Sequence, residues 1–238
     1  MKMKKKKLFW AFIPARSKSK SIKNKNIRPL KGKPLLAYSI IAAKKLNFID
    51  KIVVSSDSKK YLNIAKKYGC NFLHLRSSKL SGDKTTDFEV FYNFLKYLKK
   101  LKINPPKYFI HLRPTTPIRK KKNLNKAVKY FLKNSKKFSA LRSVILMSNP
   151  SFKTMKILNG KLCSIIKNDF NLDKYNKPKE FFPKTYLPNG YIDIIKTANI
   201  IKKKFHGDKV LPYIVNDFNS DIDSLQDYDY VKNKVAKK

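Results

Sequence analysis

Apolar and polar residues alternate along this chain in short blocks whose length and period change at identifiable points. Leu8 to Ile13 is a continuous run of six apolar residues, short enough for a buried strand, and Pro14 ends it. A polar stretch follows, and then Pro34 to Leu46 (PLLAYSIIAAKKL) predicts a mostly apolar helix with Pro34 in its first turn. Lys51 to Ser56 is rich in β-branched residues and predicts a second buried strand. Asp57-Ser58 offers an N-cap for a helix from Lys59 to Tyr68, with Gly69 as its stop. Asn71 to Leu75 predicts a third strand, and Arg76 to Thr86 a loop. From Asp87 to Leu101, Phe88, Phe91, Leu95 and Leu98 recur on one helical face. After Pro105-Pro106 come a strand (Lys107 to Leu112), a loop (Arg113 to Arg119), a helix (Asn123 to Leu132) and a strand (Phe138 to Met147). Strand and helix in alternation predict an α/β fold: a Rossmann-like, mostly parallel sheet with helices on both faces.

The rhythm changes at about Ser148. Thr154 to Leu158, Asn159-Gly160 and Lys161 to Ile166 predict an inserted β-hairpin with a type I′ turn. Residues 167–188 read as a long irregular loop, of the kind that serves a site or an interface. Strands return at Tyr191 to Ile195 and Leu211 to Val215, and Ser224 to Val235 predicts a closing helix. The expectation is one domain over 1–238 with the insertion at about 150–187.

Composition changes this picture in one respect. The 238 residues are 42% apolar, enough for a core, but the formal net charge is +41. Such a charge suits either a polyanion-binding face or a bias towards Lys that leaves fold and function alone. Six of the 56 basic residues are Arg and the other fifty are Lys, scattered from end to end. Nucleic-acid readers mix Arg into their contact face, so the scatter favours the bias and no specific nucleic-acid partner. Two cysteines, Cys70 and Cys163, make no disulfide framework. No run approaches the about 20 apolar residues of a membrane span, and the N-terminal run is too short for a signal peptide. A cytoplasmic protein without membrane insertion is expected. The lone histidines His74, His111 and His206 match no metal spacing.

The candidate chemistry begins where the first strand ends. PARSKSKSIKNKNI (residues 14–27) is a cationic, hydroxyl-bearing loop between a strand and a helix, an arrangement by which α/β proteins hold phosphates. It resembles the P-A-R-x-x-S-K-x-x-x-x-K-N signature of the CMP-N-acylneuraminate (nonulosonic acid) cytidylyltransferases. Further matching segments follow in that family's order: GKPLLAYSI (32–40), DKIVVSSDS (50–58), LSGDKTTD (80–87), LRPTTPIR (112–119), PNGYIDI (188–194) and SDIDSLQDY (220–228). The resemblance implies a nucleotidyltransferase that moves CMP from CTP to the anomeric hydroxyl of a sugar acid and releases pyrophosphate, for cell-surface glycan synthesis. It also implies Mg²⁺ as cofactor and a homodimer that uses the insertion. A relative acting on 3-deoxy-manno-octulosonate, or an inactive relative that binds polyanions, stays open.

The resemblance distributes roles as follows. Arg16, Ser19, Lys20 and Lys25 form the phosphate set, with Arg16 as a fork and the lysines as point charges. Arg16, Lys25 and Asp221 are the catalytic candidates. Asn26 is a nucleotide contact, and Arg76, Thr86 and Asp87 lie near cytosine. Asp87 serves equally well as a helix N-cap. Asp221 and Asp223 are the metal pair, since alternate residues of an extended segment share a side. Asp223 has a second reading as a cap, and Asp217 is a weaker third carboxylate. Arg113, Thr115, Lys179, Asn189 and Tyr191 are the sugar-side candidates. Arg113 stands where sialic acid enzymes of the family carry Gln, and a cation there suits a sugar carboxylate or a modified acyl group. Asn189 and Tyr191 read also as a turn and a core residue. Many relatives have a Gly-rich first loop, whereas no Gly lies between Pro14 and Asn26 here.

Overall fold

A computed structural model describes residues 8–165, 171–216 and 221–236. The chain runs β1 (Phe9–Pro14), a 3-10 turn (Lys25–Ile27), β2 (Pro29–Leu30), β3 (Lys33–Pro34), α1 (Leu35–Lys44), β4 (Ile49–Ser56), α2 (Lys59–Lys67) and β5 (Phe72–Leu75). A 3-10 segment (Ser78–Ser81), α3 (Asp87–Lys100), β6 (Tyr108–His111), α4 (Lys121–Asn134) and β7 (Ala140–Leu146) follow. Then come β8 (Met155–Leu158), β9 (Lys161–Ser164), α5 (Leu172–Tyr175), a 3-10 turn (Lys179–Phe181), β10 (Tyr186–Lys196), α6 (Thr197–Ile201), β11 (Val210–Ile214) and α7 (Leu225–Ala236).

Seven strands form the central sheet in the order β11-β7-β10-β6-β1-β4-β5. The expected parallel character holds for β1 with β4 and β6, for β4 with β5, and for β7 with β11. β10 is the exception, running antiparallel between β6 and β7. Its Tyr191–Ile195 core was expected, but it extends back to Tyr186, and its register against β7 shifts between Pro188 and Asp193.

β1 shows why the sheet is covered on both faces. Its side chains point alternately to opposite sides. Phe9, Ala11 and Ile13 join the core beneath α1, α2 and α4, with Leu36, Tyr61 and Phe131. Trp10 and Phe12 join the core beneath α3, with Phe91, Phe94 and Leu98. Rings dominate this second layer; Phe12 and Phe91 lie 4.1 Å apart, centroid to centroid.

Two cap assignments differ from expectation. Pro34 is not in the first turn of α1 but is its extended N-cap, paired in β3 opposite Pro29. Lys31 and Gly32, both at positive φ, make the tight β2–β3 turn. At α3 the cap is Thr86, not Asp87: its hydroxyl accepts from Glu89 N, and the Glu89 carboxylate accepts from Thr86 N. The Asn159-Gly160 turn forms as expected, with φ of 50° and 72°.

The sheet order places a switch point beside β1. The connection from β1 leads to β4 and β5 on one side, and β6 then lies on the other. Loops leaving the carboxyl ends of β1, β4, β5 and β6 converge there, where open α/β sheets bind ligands. A third apolar cluster braces this edge: Ile22, Leu30 and Leu35 pack with Ile222, Tyr228 and Val231. The last helix is thereby packed against the first loop.

Candidate active site

The converging loops enclose an open cavity of about 260 Å³. Arg16, Ser19, Lys25 and Asn26 line it from the first loop, and Arg76, Asp83 and Asp87 from the chain after β5. Arg113 and Thr115 close it from the loop after β6, and Asp223 reaches it from the C-terminal segment. Residues as far as 207 positions apart in the chain, Arg16 and Asp223, thus line one cavity.

The first loop keeps its path without glycine. Asn24 adopts the left-handed region, with φ of 57°, which a short polar side chain tolerates best among non-glycine residues. Asn26 is buried, and its Nδ2 donates to Arg16 O at 2.9 Å. The amide of this expected nucleotide contact therefore holds the loop's own backbone. Arg16 Nη1 donates to Asp83 Oδ1 at 2.9 Å, and Lys20 Nζ lies 2.7 Å from Asp83 Oδ2. Lys20 is otherwise exposed. Lys25 is buried along its stem and bonds Asp223 Oδ1 at 3.0 Å.

Arg76 is buried at the wall, and its Nε donates to Ser81 Oγ at 2.9 Å. Its Nη1 has no hydrogen-bond partner among the described residues, an uncommon state for a buried cation. Burial pushes its pKa down to about 10 against the pull of Asp57 and Asp87. Such a group is short of an acceptor.

Arg113 is differently placed from the expectation of an available cation. Its Nη1 donates to Asp193 Oδ2 and its Nη2 to Asp87 Oδ2, each at 2.8 Å. Burial works to lower its pKa, but Asp193 and Asp87 together hold it above the ordinary arginine value. The two carboxylates neutralise the guanidinium, which still forms part of the cavity wall. The fully buried His111 ring lies between the same acids, 3.7 Å from Asp193 and 3.9 Å from Asp87, and burial holds its pKa near 4. Arg119, half-buried, donates to Tyr191 O, Arg113 O and Gly190 O and locks the loop after β6.

The C-terminal acids straddle a buried anchor. Ile222 is fully buried in the third cluster, and its N donates to Thr115 O at 2.8 Å. Asp221 accepts from Thr116 Oγ1 at 3.4 Å. It lies beneath Gly190, where a Cβ would meet Thr116 Oγ1 at 2.7 Å and Asp221 Oδ2 at 3.5 Å. Gly190 has φ of 65°, so both conformation and space require glycine. Asp223 is not the cap of α7. Ser224 takes that place: its hydroxyl accepts from Asp227 N, and Asp227 Oδ2 accepts from Ser224 N. Asp223 is left facing Lys25 and the cavity. Asp217 lies outside the described residues.

Two carboxylates with hard oxygen donors, one on the wall and one beside it, fit a magnesium ion shared with substrate phosphates. Among the described residues, no group of three or more His, Cys, Asp or Glu could hold a metal unaided.

Other expected residues lie elsewhere. Tyr191 is fully buried, and its hydroxyl accepts from Lys120 N at 2.7 Å. Asn189 is buried and accepts from Tyr191 N. Lys179 is exposed on its 3-10 turn, away from the cavity wall. Thr86 caps α3, and it is Thr85 that lines the cavity. Two residues that sequence reasoning did not select are Asp83 and Asp57. Asp83 carried a signal, as the one acid in the basic stretch from Arg76 to Thr86. Asp57 was noted only as part of a cap; it accepts from Ser17 N at 2.8 Å and Ser17 Oγ at 2.6 Å.

Comparison with known proteins adds the following. A cytidylyltransferase family model matches residues 10–172. The N-acylneuraminate cytidylyltransferase of Escherichia coli O18:K1:H7 is 34% identical over 221 residues, 92% of this chain and 50% of that protein. The chain thus spans about half the length of that relative. The CMP-N,N'-diacetyllegionaminic acid synthase of Legionella pneumophila is 31% identical over 90% of this chain and 89% of its own length. A solved structure of CMP:2-keto-3-deoxy-manno-octonic acid synthetase complexed with CTP shares the fold, with a TM-score of 0.69 at 13% identity over 96% of this chain and 98% of that one. No helix among the described residues is long and apolar enough to cross a membrane.

Proposed function

The chain belongs to the cytidylyltransferase family, and we propose that it transfers CMP from CTP to the anomeric hydroxyl of a nonulosonic, sialic-acid-like sugar acid. One observation carries this reading: Arg16, Lys25, Arg76 and Asp223 line a single cavity at the carboxyl ends of the parallel strands. The relatives named for N-acylneuraminate and diacetyllegionaminic acid favour a nonulosonic acceptor over 3-deoxy-manno-octulosonate.

In the proposed reaction the sugar hydroxyl oxygen forms a bond to the α-phosphorus. The bond from that phosphorus to the bridging oxygen breaks, pyrophosphate leaves, and the hydroxyl proton passes to solvent. Arg16, Lys20 and Lys25 hold the triphosphate and meet the charge that develops on the leaving group, a task of positioning and electrostatics. To do so Arg16 and Lys20 exchange Asp83 for phosphate oxygens, a cheap exchange because those side chains are partly solvated. Arg76 Nη1 supplies a buried donor for an acceptor on the nucleotide. Asp221 and Asp223 would hold Mg²⁺. When bound, the ion would neutralise phosphate charge. Lys25 would then release Asp223 towards the ion and turn to phosphate.

A homodimer through 150–187 belongs to the same proposal. Ile157 is 75% exposed and Phe181 72%, and Leu158 and Leu162 are also exposed, an apolar surface that suits a second copy. Light scattering of the protein and of Ile157→Glu tests this; a monomeric parent protein would refute it.

The test of the activity is pyrophosphate release from CTP with Mg²⁺ across a panel of nonulosonic acids and 3-deoxy-manno-octulosonate. Release with a nonulosonic acid, abolished by EDTA, supports the proposal. Release only with 3-deoxy-manno-octulosonate, or with no acid in the panel, overturns it.

A further inference from the structure

The cations of the first loop are carried on a backbone that must be held still, and the amino-acid sequence provides no glycine to shape it. The root of the loop is tied from four directions. Ala15 N continues the β1 ladder by donating to Ser55 O at 2.9 Å. Arg16 O accepts from Asn26 Nδ2. Ser17 gives both of its donors to one carboxylate: its N to Asp57 Oδ1 at 2.8 Å and its hydroxyl to Asp57 Oδ2 at 2.6 Å. The buried Tyr61 hydroxyl lies 3.4 Å from Ser17 O and 3.3 Å from Asn24 Oδ1, bracing the same root from α2. At the loop's far end Ile22 is sunk in the third apolar cluster. Lys18, Ser19 and Lys20 are thus slung between two fixed points, Ser17 and Ile22.

We propose that Asp57, acting through Ser17, is a positioning residue for the polyphosphate subsite. It sets the affinity for the phosphate chain without touching it. This inference rests on the reading of the cavity as a nucleoside triphosphate site. Neither Asp57 nor Ser17 belongs to the cavity wall, whereas Arg16, just before Ser17, and Ser19, two positions after it, do. Charge-assisted bonds of this kind are about twice as strong as neutral ones. A loop fixed beforehand loses less entropy when its ligand arrives. The Asp57 carboxylate bonds Ser17 and not the cations of the first loop, unlike Asp83, which holds Arg16 and Lys20.

The experiment uses the full chain, with calorimetric binding of CTP and of inorganic tripolyphosphate, and with steady-state kinetics. Asp57→Ala removes both acceptors, Asp57→Asn keeps one, and Ser17→Ala removes only the hydroxyl. Asp57→Ala is expected to weaken both ligands at least about tenfold and to raise the KM for CTP equally. The KM for the sugar acid should stay within about twofold, because the loop after β6 is locked independently by Arg119. Asp57→Asn and Ser17→Ala should fall between Asp57→Ala and the parent. Tripolyphosphate binding equal to the parent's in both Asp57→Ala and Ser17→Ala would overturn the inference, and so would an equal rise in both KM values. If Asp57→Ala does not fold, Ser17→Ala decides by the same criteria. Tripolyphosphate binding is read without turnover, so a parent protein inactive with every sugar acid would defeat the proposed activity while this inference is still decided.

Discussion

Two clusters of arginine and aspartate face one another across the same cavity, and they behave oppositely. On one side Arg16 and Lys20 share Asp83, and all three side chains are substantially in water. On the other side Arg113 is clasped by Asp87 and by Asp193, whose side chain is 1% exposed. The bonds have nearly the same length, 2.9 Å in the first and 2.8 Å in the second. What separates them is the water each pair has given up. A solvated pair trades partners at little cost, while a buried charge that loses its partner has nothing to replace it. The first cluster is therefore suited to receive a ligand and the second to hold shape.

The largest expected effect tests the second cluster. Asp193→Ala leaves Arg113 half-compensated in a buried setting and should cost about 3–5 kcal/mol in urea unfolding. Replacing Arg113 and Asp193 together by apolar residues should recover part of that loss; no recovery would show that the charges are not coupled. Next, Arg16→Ala should leave the urea midpoint nearly unchanged and lower kcat/KM for CTP about 10²–10³-fold. A large loss of stability instead would abolish the distinction between the two clusters.

A pH series sharpens the role of burial. His74 is buried against Ser55 Oγ, and burial, aided by Arg76, lowers its pKa to about 4. Between pH 6.5 and 4 the unfolded chain binds the proton and the folded chain does not, so this contribution falls as pH falls through that window. The full drop corresponds to at most about 3 kcal/mol. Unfolding curves at pH 7 and pH 4.5 should differ less for His74→Gln than for the parent. The smallest effect belongs to Asp83→Asn. It should lower the KM for CTP less than about tenfold, because screened pairs compete weakly for the cations. The melting temperature should stay unchanged, and a raised KM would mean that Asp83 assists binding.

The sequence made some of this legible and hid the rest for definable reasons. The continuous apolar run at β1 and the Asn159-Gly160 turn are local signals, and both elements formed as read. The Ile222 anchor was implicit in SDIDS, an apolar residue between two acids. Thr86-x-x-Glu89 is a capping box visible in the letters, yet family resemblance drew attention to a base contact instead. The antiparallel direction of β10 was not readable, because strand direction depends on where the chain returns. The clasp of Arg113 was invisible for the same reason: Asp87 and Asp193 stand 26 and 80 positions away. Asp57 read as a cap because caps are local, whereas its partner Ser17 lies 40 residues earlier.

The packing of Ile222, Tyr228 and Val231 onto Ile22, Leu30 and Leu35 has a consequence for a chain emerging from the ribosome. Strands β1, β4, β5 and β6 can pair before the segment beyond β10 is translated, but the wall that carries Asp223 cannot exist until residue 223 has been made. At about 5–20 residues per second, the interval between a formed sheet and a closed site lasts several seconds. A nascent chain stalled before residue 221 would display its lysines with no acid from the far end to meet them.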